Sequence, residues 1–282
     1  MYKPLCIFFL VLLVGCSGGQ VLVQPVVLFA IGDTGHCQVE GTARVSAAVH
    51  AQPDVARVVL VEVGDLAYPV ATQERLLACH EPYWGDFKRR LAVPGNHEWH
   101  DPDAAGFFSV FPDPVPRKVG LGGPWHVLLL DSNLKKEAWD AQIKWLDATL
   151  AASSGECLIA AWHHPRWSSG RHGDNPATQP LWERLQGKAV LTLHGHDHHF
   201  EALSSLDSHG EPHAQGTPSF IVGNGGAPLY KAGPRIRSKR VVFGQWGFLR
   251  MELDGMAYRW QEIDTDGTVR ESGEGVCRPN PT

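Results

Sequence analysis

The chain has 282 residues, 43% of them hydrophobic, which suits one sizeable domain or two small ones with a substantial core. Its 25 Lys and Arg stand against 30 Asp and Glu, a formal charge of -5, so nothing global argues for a nucleic-acid partner. Thirty Gly and 20 Pro fit a loop-rich globular enzyme.

At the amino terminus, Lys3 precedes an apolar run from Leu5 to Val14, long enough for a signal h-region and too short to span a bilayer. The run ends in Leu13-Val14-Gly15-Cys16, which resembles the lipobox of bacterial lipoproteins, cleaved before the Cys and acylated on its sulfur. Ser17, rather than Asp, favours outer-membrane sorting in a Gram-negative host; an ordinary signal peptide with a coincidental Cys is the alternative. The expected organisation is a leader over residues 1–16, a short tether over 17–25 and a single domain over 26–282. The mature protein is expected to be exported and held at the cell envelope by lipid alone.

Loss of Cys6 with the leader and of Cys16 to lipid leaves Cys37, Cys79, Cys157 and Cys277, which allow three pairings. Cys37 and Cys79 both follow early strand-like runs, which favours Cys37–Cys79 and, by elimination, Cys157–Cys277. Free buried thiols are the other reading.

Five apolar runs end in residues able to hold a metal. Val26 to Ile31 stops at Gly32-Asp33-Thr34-Gly35; after a helix-like segment, Gly41 to Gln52, the run Val58 to Val63 stops at Gly64-Asp65-Leu66-Ala67-Tyr68. Glu62, inside that second run, is an acid with no sequence rationale. Leu91 to Pro94 leads into Gly95-Asn96-His97-Glu98, and Cys157 to Trp162 leads into His163-His164-Pro165. Ala189 to Leu193 leads into His194-Gly195-His196-Asp197-His198-His199; alternate residues of an extended backbone share a side, so His196 and His198 can serve one site. Helical segments such as Lys136 to Leu150 alternate with these runs, which predicts an α/β architecture with ligands beyond the carboxyl ends of the strands. After Val241 the pattern becomes antiparallel, Gly247 to Leu253 and Met256 to Ile263, with Asp254-Gly255 between them as a type I′ hairpin signal.

The series Gly-Asp, Gly-Asp-x-x-Tyr, Gly-Asn-His-Glu, His-x-Pro and Gly-His-x-His resembles the calcineurin-like metallophosphoesterases, and most of all their purple acid phosphatase branch. It covers about residues 26–203, with Trp125 to Asn133 and Gly223-Asn224-Gly225-Gly226 in the same style. The resemblance implies a four-layer α/β/β/α sandwich of two mixed sheets with helices outside, and two metal ions. The first would be held by Asp33, Asp65, Tyr68 and His198, the second by Asp65, Asn96, His163 and His196, with Asp65 bridging. His163 is preferred to His164, which is read as a supporting or surface group. Most members carry Asp-x-His at the first motif, where this chain has Asp33-Thr34-Gly35; Tyr68 fills that gap, with His36 as a substitute one position late. A phenolate there implies Fe3+, with Zn2+, Mn2+ or Fe2+ at the second position.

The implied reaction is hydrolysis of a small phosphorylated substrate by water, with no protein nucleophile. His97 is left for the phosphate or the leaving-group oxygen. His172 is a second candidate, because His163 to Gly173 resembles the corresponding loop of that branch; a solvent-exposed loop His is its plainer reading. Arg166 and Arg171 are candidate phosphate contacts or simply solvated. Lys231, Arg235, Arg237, Lys239 and Arg240 form a basic cluster that reads as a solvated loop before an anion site. A phosphomonoesterase ranks first, a phosphodiesterase or nucleotide hydrolase second, and a binding lipoprotein with a vestigial site third.

Overall fold

The computed structural model describes residues 24–231, 233 and 237–278. The expected leader with Cys6 and Cys16, tether residues 17–23 and Arg235 lie outside them.

From the amino terminus come β1 (Val26–Ile31), α1 (Gly41–His50), β2 (Val59–Glu62), α2 (Gln73–Cys79), α3 (Glu81–Trp84) and β3 (Arg90–Ala92). The middle of the chain carries α4 (Asn96–Trp99), α5 (Ala105–Val110), β4 (Arg117–Gly122), β5 (Trp125–Leu129), α6 (Lys136–Ala151), β6 (Cys157–Ala161), α7 (Gln179–Leu185) and β7 (Leu191–His194). It closes with β8 (Phe200–Leu203), β9 (Ser219–Val222), β10 (Ser238–Val242), β11 (Gly247–Asp254), β12 (Ala257–Asp264) and β13 (Val269–Val276). One sheet has the order β13-β12-β11-β1-β2-β3 and the other β10-β8-β9-β7-β6-β5-β4. Both are mixed: β1, β2 and β3 are parallel in the first, and β5, β6, β7 and β9 in the second.

Strand alternation shows how the layers stack. On β1, Leu28 and Ala30 enter the core between the sheets, while Phe29 and Ile31 face Val45 and Val49 of α1. On β6, Ile159 and Ala161 enter the same central core, while Leu158 and Ala160 pack under Leu146 and Leu150 of α6 and Leu181 and Leu185 of α7. Strands buried on both faces read as unbroken apolar runs, which is why they stand out in the sequence. Trp139, Ile143, Leu146 and Leu150 form one stripe of α6 at helical spacing, and each fully buried aliphatic side chain contributes about 1.5–3 kcal/mol.

The structure departs from the sequence reading in three places. Helices α2 and α5 pack Leu76, Phe107 and Phe111 over Leu66 and Ala71, a small extra core that no periodicity announces. The β11–β12 hairpin turns on Gly255 and Met256 rather than Asp254-Gly255. Gly255 has a positive φ (55°) and Met256 is not among the positive-φ residues, which is the type II′ pattern and not type I′. Beyond β7 the chain bends at once, with His196 at φ 73°, so strand alternation does not bring His196 and His198 together.

Two disulfides are present, Cys37–Cys79 (Cα–Cα 5.1 Å) and Cys157–Cys277 (5.6 Å). The second joins the start of β6 in one sheet to the chain just after β13 in the other, at the end away from the ligand-bearing turns. Such pairs fit an oxidising, exported setting. Among the described residues no helix is long and apolar enough to cross a membrane. Of the basic cluster, Arg237 pairs with Asp174 (3.0 Å) and Arg240 with Glu271 (3.0 Å).

Candidate metal centre

The carboxyl ends of β1, β2 and β3 in one sheet face those of β6 and β7 in the other, and the turns that follow them converge. Asp33 and Asp65 each sit just past a strand with left-handed φ of 58° and 55°, a conformation costing about 1–3 kcal/mol in a non-glycine residue. They are held there. Asp33 N–H donates to Gly64 O (3.0 Å), and the Asp65 and Leu66 N–H groups both donate to Glu98 (2.8 Å each). Gly95 and Gly195 let the backbone close on the two carboxylates: a Cβ on either would collide with Asp65 Oδ1 or Asp33 Oδ2.

All seven side chains named as metal ligands meet at this point. Tyr68 OH lies 3.0 Å from Asp33 Oδ1, 3.3 Å from Asp65 Oδ2 and 3.2 Å from His198 Nε2. His198 Nε2 is 3.3 Å from Asp33 Oδ1, and His163 Nε2 is 3.3 Å from Asp65 Oδ2. Asn96 Oδ1 joins the second group, 3.2 Å from His163 Nε2 and 3.0 Å from His196 Nδ1. Asp33, Asp65, His163 and His198 are buried; Tyr68, Asn96 and His196 are half-buried.

The imidazoles are oriented from behind. His163 Nδ1 bonds Val63 O (2.8 Å) and His198 Nδ1 bonds Pro228 O (2.7 Å), so each carries its proton on Nδ1 and aims Nε2 inward. Burial opposes a proton on His163, yet the Asp65 carboxylate outweighs it and lifts the pKa to about 10. Burial likewise opposes ionisation of Asp65, but His163 and His97 hold it well below the usual carboxylate range. Burial and the Asp33 and Asp65 charges push the Tyr68 phenol well above its ordinary value. Two buried carboxylates side by side therefore demand positive charge, which the His163 proton supplies in the metal-free chain, and this oxygen–nitrogen donor set suits transition-metal cations in its place.

Around this centre, His97 donates Nδ1–H to Pro69 O (2.6 Å) and places Nε2 3.8 Å from Asp65 Oδ2. His172 is exposed; its ring lies 4.2 Å from that of His196, and its Nε2 is 3.2 Å from Tyr230 OH. Arg171 lies over the Tyr230 ring (5.5 Å), whereas Arg166 turns away to Trp167 and Gln179. His36 has no side-chain partner for its Nδ1 and packs its ring 5.9 Å from that of Tyr68. Burial and His163 push His164 down to about 3.

Several supporting residues escaped the sequence reading. Buried Glu98 also takes the Gly95 N–H (2.6 Å), and burial with the Asp65 charge lifts its pKa to about 7. An acid three residues after a helix N-cap was the available signal. Buried Asp197 accepts the His172 N–H (2.8 Å) and the Ser168 hydroxyl (2.5 Å), fixing the loop that carries His172. Tyr230 stacks on His198 at 4.1 Å. Glu62 also finds its reason: it pairs with buried His80 (2.7 Å) and with Arg90 (3.0 Å). Burial opposes its charge, but Arg90 and His80 outweigh it and hold its carboxyl below the ordinary range.

The family model for calcineurin-like phosphoesterases matches residues 26–200, well over half of the chain. The chain belongs to that family. As a calcineurin-like phosphoesterase it shares its fold with purple acid phosphatase PPD1 from yellow lupin (Lupinus luteus), at TM-score 0.69 and 16% identity, over 90% of this chain and 54% of that one. It is also similar to GAP50, the anchor in the inner membrane complex of Plasmodium (TM-score 0.72, 13% identity, 91% and 90% covered), and to PhoD (0.58, 13%, 90% and 69%). The phosphoesterase thus spans about half the length of the lupin chain, and at these identities the likeness is one of fold. No curated protein matches it in sequence.

Proposed function

We propose that this calcineurin-like phosphoesterase is an exported phosphomonoesterase with a dinuclear centre. One cation would be held by Asp33, Asp65, Tyr68 and His198, the other by Asp65, Asn96, His163 and His196. The observation that carries this reading is the meeting of these seven side chains at 3.0–3.3 Å from five separate turns. Bound there, two cations supply a water nucleophile at neutral pH and neutralise the phosphoryl oxygens. Fe3+ suits the position beside Tyr68, and Zn2+, Mn2+ or Fe2+ the other.

The chain's own residues do the rest. Asp65 would be shared by the two positions. His97, tied through Nδ1 to Pro69 O, would as the imidazolium offer an Nε2 proton to a phosphoryl or leaving-group oxygen. His172, positioned by Asp197 through its backbone, offers a second donor on the His196 side. Leu13-Val14-Gly15-Cys16 supports a lipid tether to the bacterial envelope, with the outer membrane as its destination in a Gram-negative host.

Rates on an aryl phosphate monoester, an aryl phosphate diester and a nucleotide test the reading, with the protein reconstituted in iron, zinc or manganese. The monoester is expected to lead by at least about tenfold in kcat/KM, with all turnover lost in Asp65→Asn. A diester or nucleotide preference would move the assignment to that class. No hydrolysis with any metal would remove the enzyme reading.

A further inference from the structure

His164 stands outside the two ligand sets, yet its surroundings match those of its ligand-assigned neighbours. Donor atoms of His163, His164 and His196 lie within 4.8 Å of one another. The His164 ring sits 4.9 Å from that of His163 and 4.4 Å from that of His196. Behind it, the Ser132 hydroxyl oxygen lies 2.8 Å from His164 Nδ1 and accepts the His164 backbone N–H at 3.1 Å. Ser132 Oγ can accept a proton from Nδ1 or donate one to it, and when Nδ1–H is the donor Nε2 keeps its lone pair. His163 on Val63 O and His198 on Pro228 O also have an oxygen behind Nδ1, there a carbonyl that only accepts.

Resting on the two-metal reading above, we propose that His164 is a third imidazole ligand at the second metal position, beside His163 and His196. Three imidazoles with the Asn96 and Asp65 oxygens make a nitrogen-rich set, which favours zinc or ferrous iron over manganese or magnesium. The competing arrangement has Ser132 O–H donating to His164 Nδ1 and Nε2–H facing substrate. The two differ in whether Nε2 can bind metal at all.

Metal-free protein titrated with Co2+ separates them. Each ligated imidazole gives a far-shifted exchangeable N–H proton resonance, so ligands can be counted. His164→Ala is expected to lack one resonance that wild type shows, and to bind the second Co2+ equivalent about 100-fold more weakly. Unchanged binding of the first equivalent reports an intact fold, and His164→Gln repeats the measurement with a bulkier side chain. The same set of shifted resonances in wild type and both variants would overturn the proposal, whatever turnover does. His163→Ala is the companion: if it loses the second equivalent while His164→Ala does not, only the present inference fails. If His163→Ala also keeps it, the two-metal reading itself fails.

Discussion

Asp65 accepts the His97 N–H at 2.9 Å, faces His163 at 3.3 Å and shares Tyr68 OH with Asp33, so one carboxylate ties together four of the five turns. His97 and His172 stand beside this knot without entering it, and that difference is measurable. His97→Ala should retain bound metal and lose about 10²–10⁴ in turnover on a monoester with a poor leaving group, with a milder loss for His172→Ala. Metal analysis beside the kinetics checks this; loss of metal from both variants would make them ligands or structural groups. Tyr68 is tested by colour. A tyrosinate on ferric iron has a charge-transfer band in the visible, which zinc lacks. Iron-loaded protein should be coloured and Tyr68→Phe bleached. Since the metal-free phenol is held well above its ordinary pKa, loading must expel a proton and should strengthen as pH rises. At this scale the residues that meet at the candidate centre were legible in the sequence, because each follows an apolar run and matches a family motif. Asp197 and Ser132 were not, because a side chain that acts by accepting backbone N–H groups from a loop has no spacing signature, and Glu98 was marked only by its place three residues after the helix N-cap.

Strands β1, β2, β6 and β7 were legible because burial on both faces writes them as continuous apolar runs, and α6 because its stripe repeats at helical spacing. Helices α2 to α5 were not: each is seven residues or fewer, and the buried side chains of α2 and α5 serve a local cluster. The β9 and β11–β12 elements add one pH-sensitive contact. Glu262 on β12 is fully buried, accepts from Asn224 Nδ2 (3.0 Å) through Oε1 and leaves Oε2 without a partner. Burial lifts its pKa to about 8 from an ordinary 4.5. Below the unfolded pKa both states hold the proton and nothing is lost. As pH rises towards about 8 the unfolded chain releases it first, so stability falls through that window by an amount on the order of a few kcal/mol. Chemical denaturation of metal-free Glu262→Gln against wild type should show the difference growing between these limits. A difference independent of pH would mean that Glu262 is ionised throughout.

Taken whole, the molecule is two mixed sheets closed on one central core, with the candidate metal centre at one end and Cys157–Cys277 at the other. β1 begins at Val26, at the end of the sandwich opposite the candidate centre. Fatty-acid labelling of the protein in a Gram-negative host should disappear in Cys16→Ser; persistent labelling would leave an ordinary signal peptide. The sandwich followed from the motif series, while the placing of Tyr230 against His198 and of His172 against His196 needed the fold to bring distant segments together. The most direct test of the account is metal-dependent turnover counted against metal bound. Chelated protein should be inactive on an aryl monoester, regain activity only as the second equivalent per chain is added, and fail to do so in Asp65→Asn. Full activity after chelation, or saturation at a single equivalent, would contradict a dinuclear centre.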